Sequence, residues 1–467
     1  MTRHLIRFLL FIATALAVST AGAGTALAHN KQISSSPADG EILTAAPAQW
    51  IITFDKTVPL ASASGEIVKS DGMRVPLAAP QQGQTDNVVA FNLPGDLTGS
   101  VTARWRLVGT DGHVISGRIR FSVQAPAIVA PTVPSPTTTE LSSVTGGTTS
   151  VPSNPPTTDV QSITDVSSGF DDGRLSVPEP ARAALRFANY LAFYILGGLF
   201  FAEWYLAVGS IRVPLGGRLV RYASWILLSS SALQTLVFVD DIRASGSNWI
   251  TGFLDALGTT PGSMLIMKTA ICALNVAMTR EVLREGFLDP VRSRLFLVTG
   301  LMYMVTLAYG GHSRSQAAPW LGIPADVAHM AASAVWLGGL CAFVFVVVPH
   351  VDDERAVAGF DRFGYAAERA VAVLVVTGVI QSLRLHANPF SVFTNSHGLL
   401  LVAKLSLVAF VLRLAAQNRR RLLGRSRRVS DSSARLKSAL IRSSLVELGL
   451  GATIIAVTAV MVASAPT

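Results

Sequence analysis

After residue 180 the chain becomes a succession of apolar runs, each about as long as a bilayer is thick. Eight runs stand out, at about 184–207, 219–239, 262–280, 294–311, 324–348, 366–385, 398–416 and 442–464. A helix needs roughly 20 apolar residues to cross the hydrocarbon core, and in lipid only a helix or a closed barrel satisfies its own backbone. Residues 181–467 are therefore expected to form an all-α polytopic membrane domain of about eight helices. Composition agrees, since half of the 467 residues are hydrophobic and 14% are charged, against about 25% charged in soluble domains.

The first 180 residues follow another pattern. Met1–Ala28 has Arg3 and Arg7, an apolar stretch from Leu9, and the ending Ala26-Leu27-Ala28. A basic start, apolar middle and small-x-small end mark a secretory signal peptide. Cleavage after Ala28 is expected over an uncleaved anchor, leaving His29 first. Residues 29–125 then alternate as strands do, in Val101–Leu107 and Ile119–Val123, with short apolar runs at Trp50–Phe54 and Val88–Phe91. Turn signals at Pro37–Gly40, Ser70–Gly72 and Pro94–Asp96 separate them, which suggests an antiparallel all-β sandwich or barrel. Residues 126–180 are dominated by Pro, Ser and Thr and lose periodicity, the composition of an extended tether.

The net charge of +9 raises nucleic acid as a partner, but residues 29–125 hold eight Lys/Arg and eight Asp/Glu. The excess lies between the apolar runs. If export places the β domain outside, the inner loops carry Arg212, Arg218 and Arg221, then Arg280, Arg284 and Arg292, then Arg355 and Arg362, and finally Arg419 through Lys437. That bias is the positive-inside pattern, so the partner is a bilayer and no nucleic acid is expected. Both ends of the mature chain would face outward. Cys272 and Cys341 lie in apolar runs, so no disulfide framework is expected.

Two features of the β domain suit a metal. A free amine on His29 and its own ring can chelate together, and such nitrogens suit the tetragonal preference of Cu(II). Asp111-Gly112-His113 places a carboxylate and an imidazole two residues apart in a turn. Either feature alone reads better as an exposed residue. Together with Ser36-Pro37-Ala38-Asp39-Gly40, Trp105-Arg106-Leu107-Val108-Gly109-Thr110-Asp111-Gly112-His113, and Gly117 followed by Phe121-Ser122-Val123, they make the domain resemble the CopC family of periplasmic copper-binding proteins. The resemblance implies a cupredoxin-like sandwich holding Cu(II) by His29, Asp111 and His113. Met73 is the one methionine in this domain, which argues against the Met-rich Cu(I) site of some members.

The membrane part resembles the CopD family in Gly311-His312, Asp326-Val327-Ala328-His329, Trp336–Leu340, Gly398–Lys404, Asn418-Arg419-Arg420 and Glu447. Ionisable groups within a bilayer usually face a pathway or partner. His329 and Asp326, three residues apart on one helical face, with Met330 and His312 beside them, form an expected outer copper path, Asp326 orienting the imidazole. Glu203 and Glu447 lie toward the inner side and Lys404 within span seven; the two glutamates are expected either to continue the copper path or to pair with Lys404 in helix packing. His350 is expected to be structural rather than an exit ligand. The expected function is copper capture outside a bacterial plasma membrane and copper import, in homeostasis or resistance, with extracytoplasmic copper donors or reductases as further partners. The alternatives are a copper redox enzyme at the site of His29, Asp111 and His113, a membrane haem protein using His312 and His329, and a copper store without transport.

Overall fold

Alternating buried and exposed positions build the first domain. In β3 (Gln49–Phe54) Trp50, Ile52 and Phe54 are fully buried while the residues between them face outward. In β8 (Gly99–Val108) Val101, Ala103, Trp105 and Leu107 do the same. Each such side chain contributes roughly 1.5–3 kcal/mol by leaving water. The two inner faces meet where Phe54 stands edge-on to Trp105 at 4.9 Å. The computed structural model describes residues 32–60, 63–71, 73–109, 114–124, 177–206, 213–243, 248–285, 290–315, 318–385, 396–426 and 433–462.

One sheet runs β1 (Gln32–Ser36), β3, β7 (Val88–Asn92), β6 (Gln81–Gln82). The other runs β2 (Ile42–Leu43), β9 (Val114–Val123), β8, β4 (Ser64–Val68), β5 (Arg74–Pro76). All pairs are antiparallel except β2 with β9. The Pro37–Gly40 turn is pinned to β9, since the Arg120 N–H donates to Asp39 Oδ1 at 2.7 Å.

The helical region comprises α1 (Glu179–Tyr205), α2 (Pro214–Ile242), α3 (Trp249–Leu257), α4 (Thr260–Glu285), α5 (Pro290–Gly310), α6 (Pro319–His350), α7 (Asp353–Leu385), α8 (Ser396–Ser426) and α9 (Ser433–Met461). Seven of these are long and apolar enough to cross a membrane. The expected run at 294–311 falls short of that measure, as its apolar part is only Arg294–Gly310. Yet α5 spans 21 residues, roughly 31 Å at 1.5 Å per residue. Its end at Gly310 lies beside Pro261 of α4, Asp241 of α2, Glu179 of α1 and Val462 after α9. Seven of the eight expected runs thus meet the measure of a span, and residues 179 and 462 lie at the same end of the bundle. The ninth helix, α3, was not foreseen. It is capped by Asn248, which accepts from Thr251 N, and leaves Trp249, Ile250, Phe253 and Leu254 exposed, as suits a helix at a membrane interface.

α6 is the buried centre, with 83% of its apolar window covered against 6% for α8. It contains π-helical turns at Ala334–Gly338 and Phe343–Val347. The Trp336–Leu340 segment owes its glycines to packing on α1, because a Cβ at Gly338 would lie 1.8 Å from Tyr194 O and one at Gly198 would lie 1.9 Å from the Gly338 carbonyl carbon. Such close backbone approach is how membrane helices associate without a hydrophobic drive.

The sandwich sits on the end of α2. Val108 packs with Phe238, Val239 and Ala256. Asp241 accepts from Arg182 of α1 at 2.5 and 2.9 Å and lies 3.8 Å from Arg106 of β8.

Candidate functional site

His29, Asp111 and His113 lie outside the described residues, but their flanks are in place. Trp105 Nε1 donates to Gln32 Oε1 at 2.9 Å, so the strand that follows His29 is tied to the strand that leads to Asp111. Val108 pairs with Val114, closing the β8–β9 hairpin around residues 109–113. The hairpin stem is the part resting on α2.

Within the bundle, α6 and α7 face each other through two polar rungs. In the first, the Asp326 carboxylate accepts from Ser313 Oγ and from Gln381 Nε2. Arg384 steadies this rung, donating to Gln381 Oε1 at 2.7 Å and to Ser313 O at 3.0 Å. Its guanidinium occupies the space over Gly322, where a Cβ would come within 1.9 Å of Nη1.

One helical turn along is the second rung, His329 Nδ1 with Thr377 Oγ1 at 2.8 Å. The tautomer follows from proton counting. Thr377 has a single hydroxyl proton, and the contact to Val373 O at 2.7 Å requires it, since a carbonyl cannot donate. Thr377 therefore accepts, His329 carries its proton on Nδ1, and the lone pair is on Nε2. That is the form in which an imidazole binds a metal, with its other nitrogen fixed by an outer partner.

This corrects one expectation. Asp326 is not hydrogen-bonded to His329; the orienting role belongs to Thr377, and Asp326 is held by Ser313 and Gln381. Lys404 of α8 lies close enough to act electrostatically on both Asp326 and His329. Met330 packs into the apolar core of the bundle. His312 begins a one-turn helix, His312–Ser315, that also carries Ser313, so its backbone adjoins the first rung; its side chain lies outside the described residues. Glu203 is 1% exposed and sits 24 residues along α1 from Glu179, roughly 36 Å of helix. That places it at the far end of the bundle from Asp326. Glu447 lies within α9. His350, at the far end of α6, donates from Nδ1 to Val346 O at 2.8 Å, a capping role. Among the described residues, no three His, Cys, Asp or Glu side chains gather into a metal centre. What the rungs provide is one open imidazole beside a buried carboxylate.

Thr377, Gln381, Ser313 and Arg384 were missed by sequence reasoning. The available signal was Thr377 and Gln381 four apart in an apolar span, hence on one helical face.

A β sandwich seated on a bundle of membrane-length helices with a polar seam between α6 and α7 defines a multi-pass membrane protein with an appended β domain. Comparison with known proteins gives the family. Residues 32–124 match the CopC domain and residues 357–461 match copper resistance protein D. The chain is 24% identical over 432 residues to copper transport protein CutJ of Bacillus subtilis (strain 168), covering 89% of this chain and 71% of that protein. It is 27% identical over 270 residues to copper resistance protein D of Pseudomonas syringae pv. tomato, covering 52% and 82%. It is 35% identical over 117 residues to copper resistance protein C of Xanthomonas campestris pv. juglandis, covering 23% and 90%. The chain belongs to the CopC–CopD family, a CopC domain followed by a CopD domain. The CopD match contains Thr377, Gln381, Arg384 and Lys404 and begins after His329.

Proposed function

We propose that this protein captures copper outside the cytoplasm of a bacterium and carries it inward across the plasma membrane. The sandwich takes Cu(II) through the amine and ring of His29 with Asp111 and His113. Two nitrogen-rich groups and one carboxylate suit Cu(II) better than a softer ion. The flanks support this assignment. Gln32 is bonded to Trp105, and three residues of chain reach about 10 Å, far enough for His29 to approach the end of the β8–β9 hairpin.

The observation that carries the transport reading is the open Nε2 of His329, inside a span and fixed by Thr377. A buried imidazole with an outward lone pair can accept a metal, and with one strong ligand it can release it again. The named relatives are copper transport and copper resistance proteins, which makes copper the cargo. The Arg bias at the opposite end of the bundle from the sandwich supports an extracytoplasmic sandwich and both ends outward.

The test is radioactive copper uptake into proteoliposomes holding the full chain, with Cu(II) and with reductant-held Cu(I). The expected result is uptake that His329→Ala reduces to background and that His113→Ala weakens only at low copper. Tight binding with no uptake in either oxidation state would overturn transport and leave a binding or redox role.

A further inference from the structure

A cleft of about 340 Å³ opens where the sandwich meets the bundle. It is separate from the α6–α7 rungs. Its charged walls are Arg106 from β8, Arg182 and Arg186 from α1, Lys268 from α4, and the carboxylates of Asp241 and Glu179. Four cations thus face two anions. The anions are committed: Asp241 is bidentate to Arg182, and Glu179 lies 3.6 Å from both Arg182 and Arg186.

Lys268 is the unusual member. It is 1% exposed, and its Nζ donates to the neutral Gln234 Oε1 at 2.9 Å. Among the described residues no carboxylate lies within ion-pair distance of it. Burying an ammonium without a counter-charge is costly, and a mobile anion in the adjoining cleft would offset that cost. Arg106 adds to the case, since among the described residues its buried Nε has no hydrogen-bond partner and Asp241 lies 3.8 Å from its guanidinium.

We propose that this cleft binds a small oxyanion, a carboxylate or phosphate, anchored by Lys268 and Arg186 from the bundle and by Arg106 from the sandwich. The size lies at the lower end of the range for small-molecule sites. Because the anchors come from both domains, the anion also ties the sandwich to the bundle. The inference rests on charge and cavity and stands apart from the copper reading. The same chemistry has two sources, a soluble anion or the headgroup of an anionic lipid.

The experiment is thermal melting of the full chain in phosphatidylcholine nanodiscs, titrated with inorganic phosphate or citrate against potassium chloride of equal ionic strength. A parallel series uses discs containing phosphatidylglycerol. An anion bound only by the folded state raises Tm with concentration. The expected result is a saturable rise with phosphate or citrate, or a rise on including phosphatidylglycerol if the source is lipid. Lys268→Met should raise the half-saturating concentration about tenfold, a loss of one charge-assisted contact, while leaving the anion-free Tm unchanged or higher. Arg106→Gln, on the sandwich side, should weaken the response in the same direction. No rise beyond chloride in either disc would overturn the proposal. So would a response that both variants leave intact.

Discussion

Two of the buried polar clusters in the bundle are built on opposite plans. In the first half, Asn189 of α1 donates to Ser230 and Ser231 of α2 at 2.8 and 2.9 Å and accepts from Tyr303 of α5 at 2.5 Å. Tyr303 stacks on Phe193 at 4.6 Å. Every polar atom of the amide is used, none is charged, and three helices are tied at one point. In the second half, Asp326 and His329 are ionisable, and the histidine is fixed by one nitrogen with the other left open. A closed neutral knot is what helix packing in lipid asks for. An ionisable pair with a spare lone pair is what a metal path asks for. The two clusters should therefore fail differently when cut.

The larger effect on stability belongs to the first. Asn189→Ala removes four interhelical hydrogen bonds, the three above and one to Leu227 O at 3.3 Å, about 2 kcal/mol at about 0.6 kcal/mol each. Thermal or denaturant melting in detergent measures this, and copper uptake per folded molecule should be unchanged. If uptake falls while stability holds, the knot is part of the path and the comparison breaks.

The second cluster should show the reverse. Thr377→Val removes the acceptor that fixes the His329 tautomer, and loss of such an outer partner costs about tenfold or more in metal affinity or activity. Copper uptake should fall by about that factor, about 1.4 kcal/mol, with Tm little changed. Thr377→Ser restores the hydroxyl and should restore uptake. Equal uptake in all three would show that His329 does not depend on Thr377.

How much of this was legible follows from where each constraint comes from. The apolar runs were plain because lipid leaves a spanning segment few choices, and β3 and β8 because their alternation is strict. β2 and β6, two residues each, are held by backbone pairing and have no side-chain pattern to read. α3 is too short for a span, and α5 sits at the margin of one. Asp326 and His329 could be singled out by their cost in an apolar span and their spacing. Their partners could not, since Thr377 and Gln381 meet them only after α7 packs on α6. The close approach of α6 to α1 at Gly338 is a tertiary contact that no local pattern encodes. The three ligands expected in the sandwich rest on sequence motif and flanking geometry alone.

Outside the membrane the same question, whether a polar group has its partner, carries the smallest stakes. Asp96, in the turn between β7 and β8, accepts from Lys69 Nζ at 2.6 Å with its own side chain 70% exposed. The Lys69 hydrogen bond first, and the Lys69 charge second, hold this carboxyl below its usual range. A carboxyl whose folded-state pKa is depressed contributes stability above its unfolded value, and loses it as pH falls through the folded one. The window therefore lies below about pH 4, the ordinary Asp value, and salt narrows the effect because the pair faces solvent. Lys69→Met should bring the Asp96 titration back up to the ordinary range, followed by carboxyl-carbon NMR, and should leave stability at neutral pH nearly unchanged. An Asp96 titration that ignores the substitution would mean the contact is not held in solution. A large loss of stability at neutral pH would mean that surface pairs matter here as buried ones do, and the contrast between wet and lipid-buried polar groups would have to be redrawn.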